Sequence, residues 1–149
     1  MSVEQHKEIN RRIVEALNAR DYDALDQWFA PDVLAHHPYG PPMQGRDEMK
    51  RFMKMARVAF PDLRLSTHEM VGEGDTLITR YLAEGTHRGD YLGVPASGKP
   101  VRFVGVQILR FADGKIVDDW EIWDQLGMMQ QMGLLPAPAS PPDGPPPSA

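Results

Sequence analysis

Val101-Arg-Phe-Val-Gly-Val-Gln-Ile-Leu-Arg-Phe-Ala112, then Asp113-Gly114, then Lys115-Ile-Val-Asp-Asp-Trp-Glu-Ile-Trp-Asp124 is the stretch that decides the fold. Two long runs rich in β-branched and aromatic residues flank an Asp-Gly pair, the strongest short-range hairpin signal in the chain. Counting outward from a two-residue turn pairs Ala112 with Lys115. One face then carries Phe103, Gly105, Gln107, Leu109 and Phe111 with Ile116, Asp118, Trp120, Ile122 and Asp124. The other carries Arg102, Val104, Val106, Ile108 and Arg110 with Val117, Asp119, Glu121 and Trp123. A bulge would exchange the residues beyond it between faces, and Asp118 and Glu121 would then replace Asp124 as candidate acids. Both faces are apolar in the middle, so both need cover. Helices can cover one, and the other is expected to be an interface in a homodimer or higher homo-oligomer.

Upstream, Leu63–Val71 and Thr76–Gly85 read as a second hairpin around Gly72-Glu-Gly-Asp75. The first half has a helical period. Ile9, Ile13, Ala16 and Leu17 form one apolar stripe, and Met49, Phe52, Met53, Ala56 and Phe60 form another over residues 46–60. Asp21 suits the N-cap of a short helix between them, with Leu25, Trp28 and Phe29 on one face and Pro31 ending it. Val33-Leu-Ala-His-His-Pro-Tyr-Gly-Pro-Pro-Met43 reads as a loop, and Gly85–Gly98 as a Gly-rich crossover. A last helix is expected from about Gln125 to Met132, with Gly133 as its C-cap. The plan is α+β: helices, about four antiparallel strands, and a short final helix.

Composition bounds the function. The chain has 149 residues, a net charge of −5 and no cysteine, and seven of its 14 prolines fall in residues 136–149. That tail has no large apolar side chain and is expected to be disordered, leaving residues 1–135 as one domain. The acidic balance argues against a nucleic-acid partner. Without cysteine there are no thiol nucleophiles, thiolate metal sites or disulfides. No apolar run approaches the roughly 18 residues of a membrane span, and MSVEQHKEINRR lacks the apolar core of a signal peptide. A cytoplasmic location is expected.

Candidate chemistry is sparse. Asp124 ends a strand among Trp120, Ile122 and Trp123, where lost solvation would raise its pKa and suit it to proton transfer. Its other reading is the N-cap of the helix starting at Gln125. Of the five histidines, His6 is expected on the surface, whereas His37 and His87 sit in loops that a rigid scaffold could aim. No HExxH or HxH spacing exists, so no metal is expected. Ser2, Ser66 and Ser97 lack a GxSxG context.

Several motifs in order carry a resemblance: Phe60-Pro-Asp-Leu63, Gly85-Thr-His-Arg-Gly-Asp-Tyr-Leu-Gly-Val-Pro95, Gly98-Lys-Pro-Val101, Asp113-Gly-Lys-Ile-Val-Asp-Asp-Trp120, Trp123-Asp124 and Leu126–Gly133. Over most of residues 5–135 the chain resembles SnoaL-like polyketide cyclases, also called ester cyclases, of the nuclear-transport-factor-2-like superfamily. The resemblance implies a curved antiparallel sheet wrapped into a cone-shaped barrel around a pocket, closed by the N-terminal helices. It also implies intramolecular aldol condensation of a hydrophobic polyketide-like substrate without metal or cofactor. A pocket aspartate would be the acid/base, here best matched by Asp124. Donors to a developing enolate would be His37, His87 or Gln107, and walls Trp120, Trp123, Phe103 and Tyr91. Alternatives on the same fold are an isomerase, an epoxide hydrolase or a non-catalytic binding domain.

Overall fold

The computed structural model describes residues 1–138; most of the proline-rich tail, and with it the expectation of disorder there, lies outside the described residues. Helix α1 (Val3–Ala19) starts at a capping box, in which the Ser2 hydroxyl accepts from the Gln5 amide and the Gln5 side chain accepts from the Ser2 amide. After a short 3₁₀ turn (Asp23–Gln27) come β1 (Phe29–His36), β2 (Met43–Gln44) and α2 (Arg46–Ala59). The second half is β3 (Arg64–Glu73), β4 (Thr76–Thr86), β5 (Pro100–Ala112), β6 (Lys115–Trp123) and α3 (Gln125–Gln131). Six strands form one curved sheet in the order β2-β1-β6-β5-β4-β3, which wraps without closing.

The expected hairpins β3–β4 and β5–β6 are present, but the sheet has six strands rather than about four. Most of the expected short second helix is a single 3₁₀ turn, and Phe29–His36, read as the end of that helix and the start of the loop from Val33, is a strand. This strand runs parallel to β6, with a register irregularity between Phe29 and Leu34. Pro31 sits in that irregular stretch, where a residue without an amide proton is tolerated. Phe29 and Val33 are fully buried, so burial overrides the local turn signals.

A second irregularity decides the chemistry. The β5–β6 hairpin begins in the expected register, Ala112 opposite Lys115 and Phe111 opposite Ile116. Arg110 then pairs with Asp118 rather than Val117, so Val117 is an extra, bulged residue. Every residue after it changes face. Asp119, Glu121 and Trp123 join Leu109, Gln107 and Gly105 on the inner face, while Asp118, Trp120 and Ile122 turn outward. The face assignment read from the sequence is therefore reversed from Asp118 onward.

Helices α1 and α2 lie over the inner face. One core cluster joins Ile13 of α1, Met49 of α2 and Phe29, Leu77, Leu109 and Ile116 of the sheet. A second joins Phe60, Tyr91 and Val101 to Met128 and Met132 at the C-terminal end. His6 belongs to the interior and not to the surface. It is fully buried, its ring stacked on Phe111 at 3.9 Å with neither nitrogen hydrogen-bonded. Among the described residues no helix is long and apolar enough to cross a membrane, and no group of three or more potential ligands is placed to hold a metal ion.

Candidate active site

Between the two core clusters lies a cavity of about 170 Å³, lined from α1, α2 and the inner sheet face. Its walls are largely apolar, including Ile13, Met53, Phe52, Phe103 and Trp123. Its polar groups form a row across four strands. Thr79 of β4 faces Gln107 of β5, which faces Glu121 of β6. Because β1 runs parallel to β6 with His36 beside Trp120, His37 leaves the strand end next to Glu121. Strand alternation thus puts Thr79, Gln107, Glu121 and His37 at one level of the cavity.

Two carboxylates, Asp119 and Glu121, share this inner face two residues apart. Asp119 is 2% exposed and accepts from the Gln107 amide, at 3.2 Å to one oxygen and 3.4 Å to the other. Burial pushes its carboxyl up to about 7 against the pull of Gln107, with the charge of Asp118 adding to the rise. Glu121 is half-buried and accepts from the Tyr81 hydroxyl at 2.7 Å. Burial and the neighbouring Asp119 charge hold it well above the ordinary carboxylate range, opposed by the hydrogen bonds from Tyr81 and Gln107. Tyr81 itself is kept protonated, first by burial and then by the Glu121 charge, so it remains a donor.

Gly105 makes this contact possible. It pairs with Tyr81 on one side and Trp123 on the other, and a Cβ there would stand 2.3 Å from the Tyr81 ring. The phenol lies across the space that any side chain would take, which lets its hydroxyl reach Glu121 one level away.

Aromatic rings cluster around Tyr91 and Trp123 of the cavity lining. Tyr39 and Tyr91, from the two loops read as irregular, are joined hydroxyl to hydroxyl. Burial raises both phenols, and both stay protonated. Tyr39 also packs edge-on against Trp123, with ring centroids 5.4 Å apart. His37 packs on Phe52, and its Nδ1 accepts the Tyr39 amide proton at 3.2 Å. That bond assigns the remaining ring proton to Nε2.

Of the residues singled out from sequence, His37, Gln107, Phe103, Trp123 and Tyr91 line the cavity. Asp124, Trp120 and His87 do not. Asp124 is exposed and its carboxylate accepts the Gly127 amide at 2.9 Å, so it caps α3, the other reading its position allowed. Trp120 is 45% exposed on the outer face, stacked on His36 at 3.6 Å. His87 is buried in the crossover, where its Nδ1 accepts the Ser97 amide at 3.2 Å and pins the loop. Asp119, Tyr81, Thr79 and Asn10 were not singled out. Only the bulge exposes their relation, since it moves the carboxylates to the face of Gln107.

The site is thus an apolar cavity on an α+β fold, with one buried carboxylate, Asp119, and one half-buried, Glu121. Residues 7–132 match the family described as SnoaL-like polyketide cyclase, and this chain belongs to that family. It is 30% identical over 131 residues to aklanonic acid methyl ester cyclase DnrD of Streptomyces peucetius, covering 83% of this chain and 87% of that one. The structure of TsrD from Streptomyces laurentii is 26% identical, covers 91% of this chain and 99% of its own, and superposes with a TM-score of 0.82. A SnoaL-like structure from Jannaschia sp. CCS1 reaches a TM-score of 0.84 at 23% identity, covering 91% of this chain and 97% of its own, a likeness of fold.

Proposed function

We propose that this protein is a cofactor-free acid/base catalyst that closes a ring in a hydrophobic, polyketide-like molecule by intramolecular aldol condensation. The observation that carries the proposal is the Asp119–Glu121 pair, held above the usual carboxylate range on the floor of an apolar cavity. Glu121 is the more accessible of the two and acts as the acid/base. A carboxylate held above its ordinary range is a stronger base than a solvated one, and its acid form can return the proton.

In the reaction, Glu121 takes a proton from a methylene flanked by carbonyls. The resulting carbanion attacks a second carbonyl carbon of the same molecule, forming the new carbon–carbon bond. The alkoxide so made takes the proton back from Glu121. The His37 Nε2–H donates to oxygen as its negative charge develops. Asp119, held by Gln107, tunes Glu121 through its charge, and the Tyr81 hydroxyl fixes the Glu121 carboxyl in place. Aromatic walls fold the chain so that ring closure is a well-oriented unimolecular step. The name of DnrD, a cyclase of an aklanonic acid ester, supports a ring-closing reaction here.

Aklanonic acid methyl ester is the first substrate to assay, by chromatography of the cyclised product. Glu121→Gln is expected to lower turnover at least about 100-fold while binding is retained. Wild-type turnover in Glu121→Gln refutes the assignment. A wild-type protein that binds the ester unchanged would favour a non-catalytic binding domain.

A further inference from the structure

The polar row continues past Gln107 to a group that the proposed reaction does not use. Asn10, on the inner side of α1, is 1% exposed and lines the cavity. Its Nδ2 donates to the Thr79 hydroxyl at 3.1 Å and reaches the Met70 sulfur at 3.5 Å. Its Oδ1 is buried and accepts nothing. Thr79 is likewise buried and accepts from Asn10, which leaves its own hydroxyl proton to give. Turning the amide over would change which atom is orphaned but would still leave one. A buried polar atom without a partner is costly, and an apolar side chain would fill the same space without that cost.

We propose that Asn10 and Thr79 form a recognition subsite for a hydroxyl group of the substrate, at the end of the cavity remote from Glu121. An acceptor on Asn10 beside a donor on Thr79 is the complement of a hydroxyl, which both gives and accepts a hydrogen bond. The placement adds a distance. Thr79, Gln107 and Glu121 are partners on three adjacent strands, so the subsite lies two strand spacings, about 10 Å, from the acid/base. A rigid skeleton bearing a hydroxyl that far from its reacting carbon is held in register. One lacking it leaves the Asn10 amide orphaned, which penalises the wrong ligand more than any apolar wall could. The inference rests on the cavity being the substrate site, as proposed above.

The test compares binding of 2-naphthol and 2-methylnaphthalene, followed by calorimetry, to the wild-type protein and to Asn10→Leu, Thr79→Val and Glu121→Gln. Each substitution is close to isosteric. Both Asn10→Leu and Thr79→Val are expected to cut the preference for the naphthol about tenfold, by weakening the naphthol and not the hydrocarbon. Glu121→Gln is expected to keep the preference. If Asn10→Leu does not fold, Thr79→Val decides. An unchanged preference in the folded variants overturns the subsite. So does a preference lost only in Glu121→Gln, which would put the hydroxyl at the carboxylates. Failure of the wild-type protein to bind either probe at millimolar concentration overturns it as well. The ring-closing proposal is judged separately, since Glu121→Gln turnover does not depend on this preference.

Discussion

Neutralising Asp119 should make the protein more stable, and increasingly so as the pH rises. Its carboxyl titrates near 7 in the folded chain, against an ordinary value of 3.8. The folded state therefore holds a proton that the unfolded chain has already released between these values. Stability must fall as pH climbs through that window, because unfolding is then favoured by proton loss. A shift of about three pH units corresponds to about 4 kcal/mol, and Asp119 is too deeply buried for solvent to screen much of it. Asp119→Asn keeps an acceptor for Gln107 and carries no charge. Urea unfolding of both proteins at pH 4.5, 6 and 8 should give a difference of only about 1 kcal/mol at the acid end. The difference should grow to about 4 kcal/mol above pH 7, equivalent to a melting-temperature gap of about 10 °C. His6, whose pKa burial lowers, loses stability in the opposite direction, as pH falls below about 6.5. It is common to both proteins and cancels in the difference. A stability difference that stays constant with pH would refute the claim that Asp119 is buried with a raised pKa.

Three further expectations can be checked with single substitutions. Asp124→Ala removes the cap of α3 and should cost about 1 kcal/mol in unfolding free energy, with turnover unchanged; a tenfold loss of turnover would return Asp124 to the chemistry. Gly105→Ala should push the Tyr81 ring off its seat and cost about 1–3 kcal/mol, and a crystal structure showing the Tyr81–Glu121 bond intact would refute that account. We infer that a second copy of this chain covers the outer sheet face, where Val71, Ile78, Val104, Trp120 and Ile122 are exposed. Sedimentation should show a dimer that Ile122→Glu converts to monomer; a wild-type monomer at micromolar concentration would exclude it.

Much of the fold was legible because its signals are local. The Asp113-Gly114 turn, the stripes of α1 and α2 and the two hairpins all follow from periods of two or 3.6 residues. Strand β1 was not legible, because Pro31-Asp32 interrupts its alternation and its pairing with β6 is parallel and distant in sequence. The site was half legible. Gln107, His37 and Phe103 line the cavity, as a curved sheet with loop histidines suggests, but Trp123 and the carboxylates were assigned to the wrong face. Nothing in Ile116-Val-Asp118 announces a bulge, which only the pairing of β6 with β5 reveals. The buried histidines were equally hidden. His6 stacks on Phe111, and His87 hydrogen-bonds Ser97 and packs at a tilt against Phe60, contacts that only the folded chain brings together.

The bulge at Val117 also bears on how relatives of this protein could diverge. On β6 the acidic residues Asp118, Asp119 and Glu121 occupy both phases of the strand, so either phase offers a carboxylate to the cavity. Deleting one residue at the bulge would swing Asp118, Trp120 and Ile122 inward and send Asp119 and Glu121 to the outer face. A one-codon deletion would thus exchange a paired, tyrosine-held acid for a lone aspartate beside an indole, with the rest of the curved sheet untouched. In this scaffold the length of a strand, as much as the identity of its residues, is a heritable determinant of reactivity.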